Sequence, residues 1–426
     1  MSALLDFYQQ QVQENLSTIP WVAAIQNKRL AELWRQSFPT KQNEEWKYTA
    51  VNNLLAERFT RMPKSTEESP CFPLDFPLAQ QITINNGEIY GIETLRVQLP
   101  SGVIVQSLHQ ALVEHEDLIR PYLDTILPHE HGFQALNTAM LQCGLFVYLP
   151  PGVSLADPII IGHGQNRQQQ AIYNRHLIIA ESGSFAIIIE DYYGPEQCSY
   201  CTNTVTEIFI GAGASIQHCK VQRESKNAYH IGHLAVAQGQ GSQFDSHSIS
   251  FGGRLVRSDI NVSLEQAQAQ CRLNGLYVPT GKQHIDHHTT IAHLVSACQS
   301  EQDYKGILGN SAKAVFNGKI VVAKNAAHTQ ARQQNKNLLL SSQAQVNTKP
   351  ELSIFADDVI CTHGATVGQI DQDALLYLTT RGIERIDAEN FLVQAFIINN
   401  LRLIPLSALS VWITSLLKQQ LKVTYV

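Results

Sequence analysis

Between about residues 144 and 370 the apolar residues come in short β-branched runs, cut at intervals by glycine. GLFVYLPPGVSL, PIIIGHG, RHLIIAESGSFAIIIEDYYG and VTEIFIGAGASIQHCKVQ are of this kind. Such runs predict strands and the glycines predict turns. No apolar stripe of helical period interrupts them until about residue 370. The turns recur: Gly183 in SGSF, Gly213 in AGAS and Gly241 in QGSQ stand 30 and 28 residues apart, with a weaker echo, QAQAQC, after Ala267. A strand-only repeat of this length buries its apolar face only by stacking on the next repeat. Neither a four-strand blade nor a Trp-Asp signature is evident. The predicted fold is therefore mainly β, with a parallel β-helix core over residues 141–370.

Helical patterns stand on both sides of that core. In IPWVAAIQNKRLAELWRQSF, Val22, Ile25, Leu30, Leu33 and Trp34 recur at helical spacing and predict one buried face. Pro39 stops that helix, and Thr40 followed by Glu44 and Glu45 predicts a further turn with acid at its start. Residues 1–65 thus form an N-terminal helical region. A mixed linker region at 66–140 follows, marked from its edge by Pro63, Pro70, Pro73 and Pro77 and holding a possible helix at LHQALVEHEDLIRPYL. At Asp371, a natural cap, the pattern turns helical again. Leu375 and Leu378 give an apolar face, and Gly382 with Ile383 supplies a C′ stop. Two further helices, through DAENFLVQAFI and the tail, complete a C-terminal helical domain at 371–426.

Composition narrows the function. The 426 residues carry a net charge of −6 and no long basic run, which argues against nucleic acid as a partner. The start, MSALLDFYQQQVQENL, lacks the basic and apolar parts of an export signal. LIPLSALSVWITSLL is shorter than the ~20 residues that span a bilayer, so no membrane partner is expected. Eight irregularly spaced cysteines suit a reducing compartment, and the expectation is a soluble, cytoplasmic protein. Phosphate-loop, nucleophile-elbow and dinucleotide fingerprints are all missing, so the chain is not expected to be an enzyme or to hydrolyse ATP itself.

Three constellations could carry chemistry. Cys361 and His363 lie two apart beside Asp357 and Asp358. On an extended segment both point to one face, where thiolate and imidazole could share a soft metal such as iron or zinc. Two ligands fall short of the four that a closed site needs, so a capping turn with incidental Cys and His stays open as an alternative. His284, Asp286 and His288 also alternate, and fit either a metal site or a hydrogen-bonded ladder between stacked strands. Cys198 and Cys201 form a C-x-x-C pair, but their flanks are loop and strand rather than the helix N-terminus that redox thiols use.

The stretch NTKPELSIFADDVICTHGATVGQIDQDALLYLTTRGI, Asn347 to Ile383, closely resembles the hallmark of the SufB/SufD family of iron–sulfur cluster assembly proteins. FPTKQNEEWKYT and YHIGHLAVAQGQGSQFDSHSISFGGRLVRSDINVSLEQAQAQCRLNGLY are similar to that family too, so the likeness runs from about residue 20 to 400. The ATVGQID wording resembles the SufD branch. The cluster-building cysteine expected of SufB upstream of the histidine is missing, since no cysteine lies between Cys298 and Cys361. The resemblance implies a right-handed β-helix that pairs with the β-helix of SufB, and C-terminal helices that dock the SufC ATPase, in a SufB–SufC2–SufD complex. It implies that His363, and less strongly Cys361, are ligands of a transient iron–sulfur cluster or iron at the SufB interface, with nothing bound stably by this chain alone. The chain would then be a non-catalytic subunit that helps build nascent clusters and acquire iron. Closure of two SufC subunits on ATP would shift the interface between the β-helices. A SufB-like scaffold acting alone or as a homodimer, and a β-helix enzyme acting on polysaccharides, are the alternatives.

Overall fold

The computed structural model describes residues 2–61 and 81–422. Of the prolines assigned above to a linker, Pro63, Pro70, Pro73 and Pro77 lie outside the described residues. From Leu145 to Gln369 the chain winds as a parallel β-helix of about eight turns, with successive strands alternating between two sheets. From Gln170 to Leu339 each strand pairs in parallel with the strand one turn before and one turn after: Gln243 opposite Gln270, Gln270 opposite Gln299, Gln299 opposite Gln330, and Gln330 opposite Ile360. These glutamines start their strands and face solvent. Stacked rungs bring identical columns within a strand spacing, where like charges directly opposite destabilise and uncharged amides do not. That explains why a chain with only 16% charged residues is so rich in glutamine. The expected turns are present: Gly183, Gly213 and Gly241 have φ of 69°, 65° and 61°. A Cβ added at Gly213 would meet nothing within 4 Å, so backbone conformation, not space, selects glycine there.

The interior is packed with β-branched residues such as Ile178, Ile208, Ile210, Val236, Ile260 and Val262. Each sheet is covered outside as well. Leu4, Leu5, Tyr8, Leu33 and Trp46 of the N-terminal region, with Phe133 of the helix Gly132–Met140, pack on Tyr173, Tyr229, Ile231 and Leu255 of one sheet. Val393, Ile397, Leu401, Ile413 and Leu417 of the C-terminal helices pack on Ile189, Val221, Ile249, Leu276 and Ile307 of the other. Burial on both faces is why these strands read as nearly continuous apolar runs.

The helix Pro20–Gln36 buries Val22, Gln26, Leu30 and Leu33. Trp34 departs from the predicted stripe and is 38% exposed, while Gln26 takes the buried face by donating to the Ala139 carbonyl (2.9 Å). The possible helix after residue 107 forms two pieces, Leu108–Glu114 and Glu116–Ile119, separated at His115 by non-helical backbone (φ −134°, ψ 41°). Asp371 caps the helix Gln372–Thr380 by accepting from Asp373 N (2.9 Å) and Ala374 N (3.2 Å). Gly382, at φ 86°, closes it as expected. The last turn of the β-helix differs from the others: among the described residues it has no following rung, and the N-terminal segment reaches its outer face through Glu44, which pairs with Lys349 (3.6 Å).

Candidate functional site at the open end of the β-helix

The last turn consists of the strands Gln345–Ile354 and Ile360–Gln369, and each is the terminal strand of its sheet. Ile360, Val367, Ile354 and Phe355 are exposed, the last by 67%. An apolar, unpaired strand edge is a template for another chain unless something blunts it. The two edges differ in this respect. Gln345 N donates to Ala312 O, so the alternate residues Val346, Thr348, Pro350 and Leu352 turn their backbone groups outward. Pro350 has no N–H to offer, and so interrupts that edge at its middle without costing a ladder bond. Ile360 N donates to Thr329 O, so the outward backbone groups of the other edge belong to Cys361, His363, Ala365 and Val367, with no proline among them. The pairing-competent edge is Ile360–Gln369.

That strand also carries the candidate ligands. Cys361 stacks on Ala331, and His363 on Gln333. Ala331 and Gln333 are buried, so both Cys361 and His363 stand on the interior-facing columns, at the open mouth. Cys361 is half-buried against Ile320, Val322, Ala326 and Ala331, and burial pushes its thiol pKa up, partly offset by a hydrogen bond from the Ala331 backbone. His363 is exposed and has no side-chain hydrogen-bond partner among the described residues. A thiol and a histidine on one face, at an edge where a second chain can add its own donors, fit a soft metal or a cluster better than any closed site does.

The interior beneath them is polar, which sequence reasoning missed. Near the middle of the core several polar groups satisfy one another. Glu190 accepts from Tyr192 (2.5 Å), Thr206 (3.2 Å) and His218 (3.1 Å). Glu224 pairs with His230 Nδ1 (2.7 Å), and Lys220 donates to His230 Nε2 (2.8 Å). Toward the open end a ladder of amides takes over: Gln302 Nε2 donates to Thr289 Oγ1, and Gln333 Nε2 donates to Gln302 Oε1 (2.6 Å). Gly318 makes room for it, since a Cβ there would lie 2.1 Å from Gln333 Nε2. Gln302, Gln333 and His363 occupy one column. Aligning the repeats in the sequence would have placed them together, 31 and 30 residues apart.

His284, Asp286 and His288 come together on the outer face of the other sheet, where they hold the N-terminal segment. Thr49 Oγ1 donates to Asp286 Oδ2 (2.5 Å) and lies 2.9 Å from His284 Nε2. His288 stands between Asp286 (3.0 Å) and Glu45 (3.2 Å). Arg257 donates to Asp286 (2.8 Å), to both oxygens of Asp259 and to the Glu45 carbonyl (2.8 Å), and its guanidinium stacks over Trp46 at 4.3 Å. The EEW stretch and the HIDHH stretch, far apart in sequence, are thus one clamp whose groups are spent on each other. Cys198 is half-buried, and Cys201 is buried with its thiol pKa pushed well up, chiefly by burial. That is the reverse of an activated redox thiol.

Two other buried groups have the composition of metal sites, His131–His233–Asp259 and His163–His176–Glu190. In each, one histidine lacks a free lone pair. Gln134 Oε1 accepts from the Glu130 backbone N–H (2.6 Å), which aims its Nε2 to donate to His233 Nδ1 (2.6 Å). His176 Nδ1 accepts from the Leu145 backbone N–H (3.1 Å). Neutral His233 and His176 must then carry their proton on Nε2, which presents a donor where a metal needs an acceptor. Asp259 is already engaged twice by Arg257.

Two family models match the chain in succession. The "SufBD protein N-terminal region" matches residues 1–161, and the "SUF system FeS cluster assembly, SufBD core domain" matches residues 162–396. An iron–sulfur cluster assembly SufBD family protein of Synechocystis sp. is 32% identical, with 87% of this chain and 85% of that protein covered. The iron–sulfur cluster assembly protein SufD of Escherichia coli is 30% identical over 87% of this chain and 86% of its own length. SufD of Bacillus subtilis is 26% identical over 75% of this chain and 74% of its length.

Proposed function

The chain belongs to the SufBD family of iron–sulfur cluster assembly proteins, and from that premise we propose that the open end of its β-helix is its working end. It is a subunit of the SUF assembly system, similar to SufD. The edge Ile360–Gln369 adds the β-helix of a SufB chain to the last rung, and the pairing brings SufB donors against His363 and Cys361. A nascent cluster, or iron on its way to one, is cargo at that junction. Cys361 loses its proton on binding, because the thiolate is the ligand form and a cation more than offsets the burial that raises its pKa.

The C-terminal helices supply the second interface. Their inner side is packed on the core, while Leu376, Tyr377, Ile386, Phe391 and Val411 stay exposed. This exposed apolar surface on the C-terminal helices is where we place docking of the SufC ATPase. Lys305 Nζ holds the Phe396 carbonyl (2.7 Å), and Asn400 donates to the carbonyl of Asp303 (3.2 Å), so a pull on these helices is transmitted to the β-helix wall. ATP-driven closure of two SufC subunits would in this way reorganise the junction between the β-helices. The relatives are named as assembly proteins, and a non-catalytic role in the cytoplasm is the reading that goes with them. No helix among the described residues is long and apolar enough to cross a membrane.

The observation that carries this reading is the proline-free open edge with His363 on its interior-facing column. Anaerobic purification from the native host followed by native mass spectrometry tests the partners: one paralogous β-helix chain and two ATPase subunits are expected. A lone monomer or homodimer would overturn that assignment. In the reconstituted complex His363→Ala is expected to abolish cluster assembly, and unchanged assembly would remove His363 from the ligand set.

A further inference from the structure

We infer that Gln333 is a positioning residue that selects the tautomer of His363 and so turns it into a ligand. The amide ladder has a direction. Thr289 Oγ1 accepts from Gln302, Gln302 Oε1 accepts from Gln333, and each amide thereby points its nitrogen inward and its oxygen toward the open mouth. The last oxygen, Gln333 Oε1, is buried and has no partner among the described residues. A buried carbonyl oxygen left unpaired is costly, and although Gln238 Oε1 and Asn274 Oδ1 are unpaired too, Gln333 Oε1 ends a directed ladder directly beneath a candidate ligand. The next residue in its column, one rung further out, is His363.

His363 on the open edge is free to rotate and to hold its proton on either nitrogen. Once a partner chain covers the mouth, the ring is confined over the Gln333 oxygen. An acceptor below demands an N–H from the ring, which leaves the other nitrogen with its lone pair directed to the junction. Ligating histidines are commonly held this way by a carbonyl or carboxylate behind them. Gly318 serves the same arrangement, because any larger residue would occupy the space of the Gln333 amide. The inference rests on the ligand role proposed for His363, and the experiment separates the two.

The complex is assembled with 15N-histidine only in this chain, sedimented, and examined by magic-angle-spinning 15N spectroscopy, the His363 signal being identified by its loss in His363→Ala. Co2+ binding to the same complexes is titrated in parallel. His363 is expected in a single neutral tautomer in the parent protein and in a mixture in Gln333→Met, with Co2+ affinity lowered about 10- to 100-fold. Gln333→Glu keeps an oxygen facing the ring and is expected to restore the single tautomer and the affinity. A merely structural Gln333 would lose both in both variants. An unchanged tautomer, unchanged affinity, or tighter Co2+ binding in Gln333→Met overturns the inference, the last because it means the ladder ends on a donor. If His363→Ala itself leaves Co2+ affinity intact, the ligand reading fails instead, whatever Gln333 does.

Discussion

The stretches His284–Asp286–His288 and Cys361–His363 have the same sequence pattern: metal-type side chains at alternate positions of a strand, all on one face. Their fates are opposite. The first faces outward beneath the N-terminal segment, and every member is paired to Arg257, Thr49 or Glu45. The second faces inward at an end that no following strand among the described residues closes. Alternation therefore identifies a face, while the presence of a cover decides whether the groups on it are structural or available.

Breaking the covered cluster has the largest effect on stability. Arg257→Ala leaves Asp259 and Asp286 buried beside each other without their counter-charge. Burial pushes both carboxyls up, and Arg257, joined by His131 at Asp259 and by His288 at Asp286, more than reverses it, holding both well below the usual carboxylate range. Removing one partner from such a buried group costs about 3–5 kcal/mol, read as a large fall in Tm by calorimetry. An unchanged Tm would mean that the clamp is idle. The open edge responds differently. Ala365→Pro removes an outward N–H that this chain does not use, so the isolated protein is expected to melt as before while pairing with SufB in native mass spectrometry is lost. The same substitution with pairing intact would move the interface off the strand Ile360–Gln369. His363→Ala should shift stability by no more than about 0.5 kcal/mol, as exposed unpaired residues do, while cluster assembly is expected to be lost. A clear loss of Tm in that variant would show that His363 is already a structural group.

The sequence made the architecture legible because glycine turns and β-branched runs are local signals repeated many times. Asp371 and Gly382 were legible for the same reason: each acts on its own neighbours. Trp34 was misplaced because one helical stripe does not reveal how wide the covering surface is, and buried Gln26 finds its partner more than a hundred residues away. The clamp was half legible. His284, Asp286 and His288 show their alternation, and Glu44 with Glu45 signals a helical turn, but Arg257, which ties them, carries no local signal at all. The amide ladder was invisible for a further reason: glutamine reads as surface, and only stacking in register turns Gln302 and Gln333 inward.

The smallest expected effect is also the one that distinguishes the two clusters by pH. His288 loses charge by burial and beside Arg257, yet Asp286 and Glu45 outweigh both and raise its pKa above 6.5. Glu45 is held below 4.5, chiefly by the hydrogen bond from His288. A raised histidine stabilises fully below its unfolded pKa and loses that contribution as pH rises through its folded value. A lowered carboxyl stabilises above its unfolded pKa and loses the contribution as pH falls through its folded value. The two conditions overlap between about pH 4.5 and 6.5. Hydrogen exchange of the segment around Glu44–Trp46 should therefore be slowest in that window, after correction for the intrinsic pH dependence of exchange, and should speed up modestly toward pH 8. Glu45 is half-exposed, so screening keeps the effect small and added salt should reduce it further. His288→Gln should flatten the profile. If the profile is flat in the parent protein as well, the charge on His288 plays no part in holding the N-terminal segment, and packing of Trp46 against Arg257 suffices.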